Sequence, residues 1–484
     1  MNMTKNMMRV GWGQTDMTPP EPVLVSGQFH ARVSEGVADP ITATVLILDA
    51  GTDHAVMVSC DLVSISNALR DSVRERCQHI EGLNPAKIIF NATHTHTGPE
   101  VRPNDMGGTT AQGSGVELPI MNVTTLVAFM ADKIAEALQA AWKERTPGTI
   151  AYGQGQAVVG RNRRWVTHQG SANMYGNTDT PDFSHIEGFE DHSVGVLATY
   201  GDDGTLTGLV VNVPCPSQVG EEGYELSADY WYETRCELRK RFGASLFVLG
   251  QCSAAGDQSP HLLFDKRAEL RMLALKGRTV KQEIACRLTD AVGEILPAIE
   301  TTKKGSLKFR HQTETLELPL AKLTSADVET AEQEAAKLQI LYDEEITRLE
   351  ADPSLRDAPR WYVQVTMAYR RMGWLRSVAK RFEEQDHTRL SSEVHVIRLG
   401  DAIIATNPFE YYLDYGIRIK ARSPAEQTLL VQLAGPGTYV PSARSQAGGG
   451  YGSIPASNPV GPEGGHILAE RTLEIIQELW ETEN

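Results

Sequence analysis

Two histidines separated by one residue stand at the end of a short apolar run and form the pair with the clearest chemical potential in the chain. His94 and His96 follow KIIFNAT (87–93). On extended backbone, side chains at positions i and i+2 point to the same side, so both imidazoles can enter one pocket. Imidazole is a common zinc ligand, and a zinc ion with an open position lowers the pKa of bound water toward about 7. The pair alone is also compatible with ordinary surface histidines.

Polar residues follow five other apolar runs in the same way. Ligands bind beyond the carboxyl ends of strands in α/β sheets, so we expect these segments to converge with the histidine pair on one site. Glu410 and Asp257 would add carboxylates to the imidazoles, a mixture that zinc accepts and that also suits manganese or iron. The segments are Asp61, 214–218, 251–261, 407–410 and 435–439.

Three further features are candidates with open alternatives. Arg163, in the Asn-Arg-Arg segment 162–164, could bind a substrate carboxylate or belong to a surface basic pair. Ser259, in GDQSP (256–260), could be a nucleophile, a hydrogen-bond donor to substrate or a turn residue. No base flanks it in sequence, which makes the nucleophile the weakest of the three. The polar cluster SHIEGFEDHS (184–193) is a reserve of possible ligands.

Composition and charge narrow the class of protein. The chain has 484 residues, 41% of them hydrophobic, and a formal net charge of −16, which argues against nucleic-acid or anionic-membrane partners. We find no run of about eighteen apolar residues, so we expect no spanning helix. No secretory signal is apparent at the N-terminus, which favours a cytoplasmic location. The six cysteines are scattered and predict reduced thiols; Cys215 and Cys252 stay open because they lie in polar segments.

The elements that must position these residues follow an α/β rhythm. Short apolar runs alternate with helical patterns, which predicts mixed β-sheets flanked by helices in a layered domain. The predicted strands are 43–50, 54–60, 87–93, 206–213, 245–250, 394–399, 402–406 and 429–434, and the predicted helices are 66–80, 124–143, 229–242 and 278–296.

Residues 323–385 break this rhythm. Two charged helical stretches, 323–350 and 359–385, are separated by a proline-bounded turn. We interpret them as a helical hairpin inserted into one catalytic domain, 1–322 and 386–484. Its charges favour a solvated face, with a lid or an oligomer contact as the alternatives. The Gly- and Pro-rich stretch 446–465 is either a surface loop or an active-site loop.

Taken together, six motifs resemble the neutral, non-lysosomal ceramidase family. They occur in that family's order, and the resemblance spans roughly 8–320 and 390–480, leaving the hairpin outside. HTHTGP beside GDQSP is the more specific combination. The motifs are VGWGQTDMTPP (10–20), NATHTHTGPE (91–100), NRR (162–164), GDQSP (256–260), NPFE (407–410) and TYVPS (438–442).

The resemblance implies a zinc-dependent amidase in which a metal-bound water attacks the amide between a fatty acid and a sphingoid base. It implies His94, Glu410 and Tyr439 as ligands of one zinc ion and His96 as a histidine near the metal water. Arg163 would orient substrate, and Asp257 and Ser259 of GDQSP would belong to the site, with Ser259 lining it.

Two departures from the family pattern stand out. Pro216 occupies the position where the family usually has a second zinc-binding histidine, after the run 206–213. Either a ligand is lost, or Cys215, Gln218 or the 184–193 cluster replaces it. The chain also ends soon after TYVPS, so we expect the family's C-terminal β-sandwich-like domain to be missing.

These observations predict a metal-dependent hydrolase that cleaves an amide-type bond in a small substrate more polar than ceramide. Cleavage of a glycosidic or ester bond on the same scaffold is the first alternative, since fold does not fix reaction type. A non-catalytic binding protein with a decayed metal site is the second. A homo-oligomer is possible.

Overall fold

The computed structural model describes residues 7–102 and 114–481. Its strands are β1 (Arg9–Asp16), β2 (Gly36–Val37), β3 (Thr42–Asp49), β4 (His54–Cys60), β5 (Ile88–Ala92), β6 (Thr146–Gln156), β7 (Arg161–Asn162), β8 (Arg164–Thr167), β9 (Ala172–Met174), β10 (Phe183–Ile186), β11 (Ser193–Gly201), β12 (Leu206–Val213), β13 (Glu225–Leu226), β14 (Phe247–Cys252), β15 (Gln258–Ser259), β16 (Phe309–Pro319), β17 (Arg389–Leu399), β18 (Ala402–Thr406), β19 (Glu410–Tyr411), β20 (Gln427–Val431) and β21 (Tyr439–Val440). Its helices are α1 (Asn67–Cys77), α2 (Val123–Glu144), α3 (Tyr230–Phe242), α4 (Lys266–Lys276), α5 (Val280–Ile299), α6 (Ser325–Ala351), α7 (Val363–Glu384), α8 (Leu413–Arg422), α9 (Ala443–Gly448) and α10 (Gly461–Glu481).

An eight-stranded mixed sheet forms the larger half of the core, in the order β14-β12-β11-β6-β1-β3-β4-β5. Its strands are covered on both faces, which explains their nearly continuous apolar runs. In β3, Val45 and Ile47 pack against helices on one face, whereas Leu46 and Leu48 pack against a second sheet on the other. The period of two therefore builds two separate cores from one strand.

The second sheet has four strands in the order β16-β17-β18-β20. It packs against the large sheet through apolar residues such as Ile397, Ile404 and Leu429, which share a core cluster with Leu46 and Leu249. Helices α1 and α2 cover one part of the large sheet and α3 and α5 another, while α8 and α10 cover the small sheet. The result is a layered α/β/β/α domain, and the predicted fold class is confirmed.

Three parallel strand pairs bring the polar segments to one edge of the structure. These pairs are β4 with β5, β12 with β14, and β18 with β20. Backbone hydrogen bonds join their ends: Ala92 N donates to Leu433 O at 3.2 Å, and Gln432 N donates to Cys252 O at 3.0 Å. Because parallel strands end on the same side, the segments that follow them meet.

The predicted helical hairpin is present as α6 and α7, which pack along each other. Helix α7 is also tied to the segment that follows β1. The Thr366 hydroxyl accepts from Ala31 N at 3.1 Å, and the Tyr362 hydroxyl accepts from Val33 N at 3.1 Å. One face of α7 is therefore buried, and the expectation of a solvated hairpin is wrong for that face. The domain bounds 1–322, 386–484 and 323–385 stay a prediction.

None of the helices in the described ranges combines the length and apolar character needed to cross a membrane.

Candidate active site

His94 is held in a fixed orientation immediately after β5. Its backbone has a φ of 63°, in the left-handed region that non-glycine residues seldom adopt. The Nδ1 atom lies 2.6 Å from the carbonyl oxygen of Val63. A carbonyl only accepts, so Nδ1 carries a ring proton; in the neutral imidazole, the form that binds a metal, Nε2 then presents its lone pair. His94, which is 3% exposed, is thereby oriented to act as a ligand or a hydrogen-bond acceptor.

Glu410 and His96 face that lone pair. Glu410 Oε2 lies 3.3 Å from His94 Nε2, and His96 Nε2 lies 3.4 Å from the same atom. Burial opposes ionisation of Glu410, but the charges and hydrogen bonds of His94, Arg163 and Tyr439 hold its pKa below the ordinary value. Burial, reinforced by the charge of His94, sets the pKa of His96 well below its ordinary value. The expected group of imidazoles and carboxylate therefore does assemble.

Arg163 lies behind this group rather than in the opening. It donates to the Tyr175 hydroxyl at 2.5 Å and to the Tyr439 hydroxyl at 3.2 Å, and Nη2 lies 3.7 Å from Glu410 Oε2. Another bond joins Nη2 to the Gly256 carbonyl at 2.8 Å. Its guanidinium is thus occupied by protein groups and fixes Glu410 and Tyr439. Its role as a substrate-orienting group stays a prediction.

Tyr439 reaches the group from a separate two-stranded sheet, β19-β21. Strand β21 pairs with β19, so Tyr439 lies directly beside Glu410 in parallel register. Its hydroxyl hydrogen-bonds to the Glu410 carboxylate and accepts from Arg163. Burial raises the pKa of Tyr439 well above its ordinary value. The phenol therefore lies next to Glu410, and its predicted role as a metal ligand stays a prediction.

Asp257 and Ser259 are buried beside the site and bond mainly to the loops that build it. Asp257 accepts from Leu413 N at 2.9 Å and from the Asn162 amide at 3.1 Å, and burial raises its pKa to about 6. Ser259 Oγ accepts from His261 N at 3.0 Å. Neither side chain lines the cleft in front of His94. Asp257 thereby holds the 162–164 segment and the start of α8, Ser259 holds its own loop, and their predicted catalytic roles stay untested.

The segment around Pro216 runs alongside the histidine loop. His96 N donates to Ser217 O at 3.1 Å, and Ser217 Oγ donates to Thr93 O at 2.7 Å. Of the proposed substitutes for the family histidine, Cys215 is a buried thiol whose pKa burial raises well above the ordinary value. Gln218 does reach the site, where its oxygen accepts from Arg163 at 3.2 Å.

The 184–193 cluster forms ion pairs of its own. Glu187 binds Arg164 at 2.6 Å, and Asp191 binds Lys420 at 2.7 Å. His192 lies 3.2 Å from Glu190. These pairs tie loops together, so the expectation that the cluster supplies spare ligands finds no support in its contacts.

Glu221 is the functional candidate that sequence reasoning missed. Its carboxylate lies 3.7 Å from His96 Nδ1, 3.3 Å from His261 Nε2 and 3.2 Å from the Gln218 amide. Although burial opposes it, the bond and charge of Glu221 raise the pKa of His261. Glu221 stands in a loop five positions after Pro216, and no local pattern marks it. A carboxylate beside a histidine is the arrangement that orients imidazole ligands in metal sites.

The donor atoms can be compared with the geometry of a zinc site. Tetrahedral zinc with bonds of about 2.0–2.1 Å separates its ligands by about 3.3 Å. The distances from His94 Nε2 to Glu410 and to His96 match that edge. Within 7–102 and 114–481, no three His, Cys, Asp or Glu side chains form a complete ion site. His94 and Glu410 therefore fit as two ligands, and a third requires Tyr439, which is of another residue type.

A cleft of about 160 Å³ opens in front of these atoms. This volume is below the range of about 300–1,000 Å³ that is usual for pockets of drug-sized ligands. Three aromatic rings, Phe29, Trp374 and Tyr451, lie 5.1–6.2 Å apart along one side. Tyr451 belongs to the Gly- and Pro-rich stretch, which supports the active-site alternative for that stretch.

Helix α7 contributes two residues, Arg370 and Trp374, to the lining of this cleft. A four-residue repeat in the sequence indicates this contribution of α7. Tyr362, Thr366, Arg370 and Trp374 recur every fourth residue and share one helix face. An arginine on the buried face of an amphipathic helix is a reason to expect a ligand or a partner there.

Comparison with solved structures identifies the fold. A neutral ceramidase from Pseudomonas aeruginosa matches with a TM-score of 0.68 and 16% identity, over 99% of this chain and 75% of that chain. A ceramidase complexed with C2 matches with a TM-score of 0.69 and 15% identity, over 99% and 76%. No protein-family model and no curated protein matches the chain.

The chain therefore has a ceramidase-like fold. The structural match includes α6 and α7, which the sequence motifs had left outside their span. At this low identity the likeness establishes the fold, and function has to be argued from the site itself.

Proposed function

We propose that this chain is a zinc-dependent hydrolase that cleaves an amide-type bond in a small polar substrate. The observation that carries the proposal is the lone pair of His94 Nε2, directed at Glu410 and His96 at 3.3 and 3.4 Å. In the absence of a cation, two imidazole nitrogens and a carboxylate would seldom be gathered around one point in a buried site.

His94, Glu410 and Tyr439 are the residues that would hold the ion. A zinc ion held there would act as a Lewis acid and would make water a nucleophile near neutral pH. Although burial opposes it, the pKa of Glu410 lies below its ordinary value, with a contribution from the charge of Arg163, and an ionised carboxylate suits a ligand. Arg163 keeps Glu410 and Tyr439 in position through its bonds to both.

The remaining groups supply proton transfer and binding. His96 accepts a proton from the attacking water and returns it to the leaving nitrogen, the usual work of a general acid and base. Glu221 Oε2 lies 3.7 Å from His96 Nδ1, so its charge faces that side of the ring without a hydrogen bond. The cleft accepts the substrate between the aromatic rings and the site, and its small volume favours a molecule more compact than a two-chain lipid.

Metal content per chain, together with hydrolysis, tests the proposal. We expect near one zinc per native chain, loss of that zinc in His94→Ala, and retention in His185→Ala, which alters an exposed histidine. Chelation should abolish hydrolysis of an amide panel, and added zinc should restore it. Hydrolysis that persists after complete metal removal would overturn the zinc proposal.

A non-catalytic binding protein is the second candidate, favoured by Pro216 and by the lack of a complete three-residue ion site in the described ranges. It predicts no metal in either protein and no turnover of amide, ester or glycoside substrates. Exclusive cleavage of esters or glycosides would show that the protein is a hydrolase whose substrate bond is not an amide.

A further inference from the structure

Arg370 is a nearly buried cation with no hydrogen-bond or ion-pair partner among residues 7–102 and 114–481. Its side chain is 5% exposed and lines the cleft that contains His94, His96 and Glu410. No described residue forms a hydrogen bond or an ion pair with its guanidinium. A buried charge without a partner is unfavourable by several kcal/mol. A guanidinium in such a position is stabilised when a bound anion supplies the missing negative charge.

The carboxylate whose charge acts on Arg370, that of Glu100, is already paired with another arginine. Glu100 accepts from Arg102 at 2.8 and 2.5 Å in a bidentate pair. Arg32, close to the same wall, bonds only to backbone carbonyls, including His96 O at 2.6 Å. Arg102 and Arg370 therefore share the charge of Glu100, whereas the charges of Glu221 and Glu222 act on Arg32.

The electrostatic surroundings agree with an excess of positive charge. Burial lowers the pKa of Arg370 to about 10, Glu100 opposes this, and Arg102 and Arg32 contribute to it. Burial, with Arg32 and Arg370, also lowers the pKa of His30. Arg370 is still a cation at neutral pH, and the planar guanidinium can bind a carboxylate, sulfate or phosphate through two parallel hydrogen bonds.

We propose that Arg370 binds an anionic oxygen group of the substrate, so that the amide cleaved here carries a carboxylate, sulfonate or phosphate. The substrate class rests on the proposed function, whereas the anion site does not require catalysis. The apolar part of the substrate lies against Phe29, Trp374 and Tyr451, whose rings surround the same cleft. The scissile bond then faces His94 and Glu410.

Direct binding tests the anion site without turnover. Calorimetry would compare 3-phenylpropionate, and the sulfonate and phosphate of the same phenylalkyl skeleton, with neutral 3-phenylpropanol. The native protein should bind at least one anion ten or more times more tightly than the alcohol. Arg370→Gln should lose that preference and keep alcohol binding, and Arg370→Lys should retain part of it. The three anions differ in geometry, so their order identifies which group the site takes.

Arg376→Gln is the matched control, since Arg376 is exposed on the same helix and bonds Gln339 at 3.0 Å. It should leave both affinities unchanged. Arg370→Gln should also melt at a higher temperature than the native protein without added anion, which shows that the variant is folded. Equal loss of anion and alcohol binding, or anion binding unaffected by Arg370→Gln, would overturn the inference.

Turnover separates this inference from the proposed function. N-benzoylglycine and neutral N-benzoyl-2-aminoethanol share one amide and differ in the anionic group. A KM for N-benzoylglycine that rises at least tenfold in Arg370→Gln, with the neutral amide unaffected, supports both. Anion binding at Arg370 without any hydrolysis would contradict the proposed function and leave the anion site standing. Hydrolysis of both amides with the same KM would contradict the anion site and leave the proposed function standing.

Discussion

The two sides of the cleft differ in whether their polar groups contact one another. On the strand-end side, His94, Glu410 and Tyr439 are linked to one another and to Arg163. On the helical side, Arg370 has no partner within the described residues. Groups linked in this way keep their geometry before substrate arrives, as chemistry requires. An unsatisfied charge is stabilised only when the right ligand arrives, which is how a polar site achieves specificity.

Removal of His94 should have the largest effect, because it takes away one of the proposed metal ligands on the strand-end side of the cleft. His94→Ala should lower kcat/KM by about 10³-fold or more, since loss of the ion removes several kcal/mol of transition-state stabilisation. Steady-state kinetics with excess zinc measures this. His185→Ala should be unaffected, and an active His94→Ala enzyme would contradict a role for this side in chemistry.

The two buried arginines should differ in the sign of their effect on stability. Arg163→Met leaves Glu410 and the buried Tyr175 hydroxyl short of a partner, so the free energy of unfolding should fall by about 3–5 kcal/mol. Arg370→Met removes an unpaired charge and should raise the melting temperature. Urea unfolding of both variants at pH 7, without added anion, gives the comparison. Destabilisation in both would mean that Arg370 has a partner after all.

Loss of the aromatic wall should weaken binding and leave chemistry almost intact. Trp374→Ala removes two ring contacts, each worth about 0.5–1.5 kcal/mol beyond its buried area. KM should therefore rise about tenfold, with kcat changed by less than about threefold. Trp361→Ala, on the same helical pair but away from the cleft lining, is the control. A drop in kcat with unchanged KM would place Trp374 on the chemical side.

Acid sensitivity should arise from the scaffold and give the smallest effect. Burial and the neighbouring His395 lower the pKa of His311 to about 3, with His54, Asp53 and Lys87 close by. Between about pH 6.5 and 3 the unfolded chain binds the proton and the folded chain does not, so stability falls as pH falls. His311→Gln should remove up to about 1.4 kcal/mol per pH unit of this slope. Urea unfolding from pH 7 to 5 measures it; exposed His79→Gln should keep the native slope.

The strand-end side of the site was largely predictable. His94, Glu410 and Tyr439 each follow an apolar run, and runs of that kind can be recognised from neighbouring residues. Asp257 and Ser259 were predicted by the same rule, yet their side chains hold loops instead of lining the cleft. Position after a strand places a residue near the site, but side-chain direction depends on contacts formed later by Leu413 and Asn162.

By itself, then, the amino-acid sequence determined the α/β layering, the strands and helices, and the loop that carries His94 and His96. These features depend on periodicity and on neighbours along the chain. Only the tertiary structure decided that Arg370 and Trp374 would face His94, some 280 positions away, and that Glu221 would reach His96. Nothing local to those residues encodes their partners, because the approach depends on how α7 docks against the distant segment that follows β1.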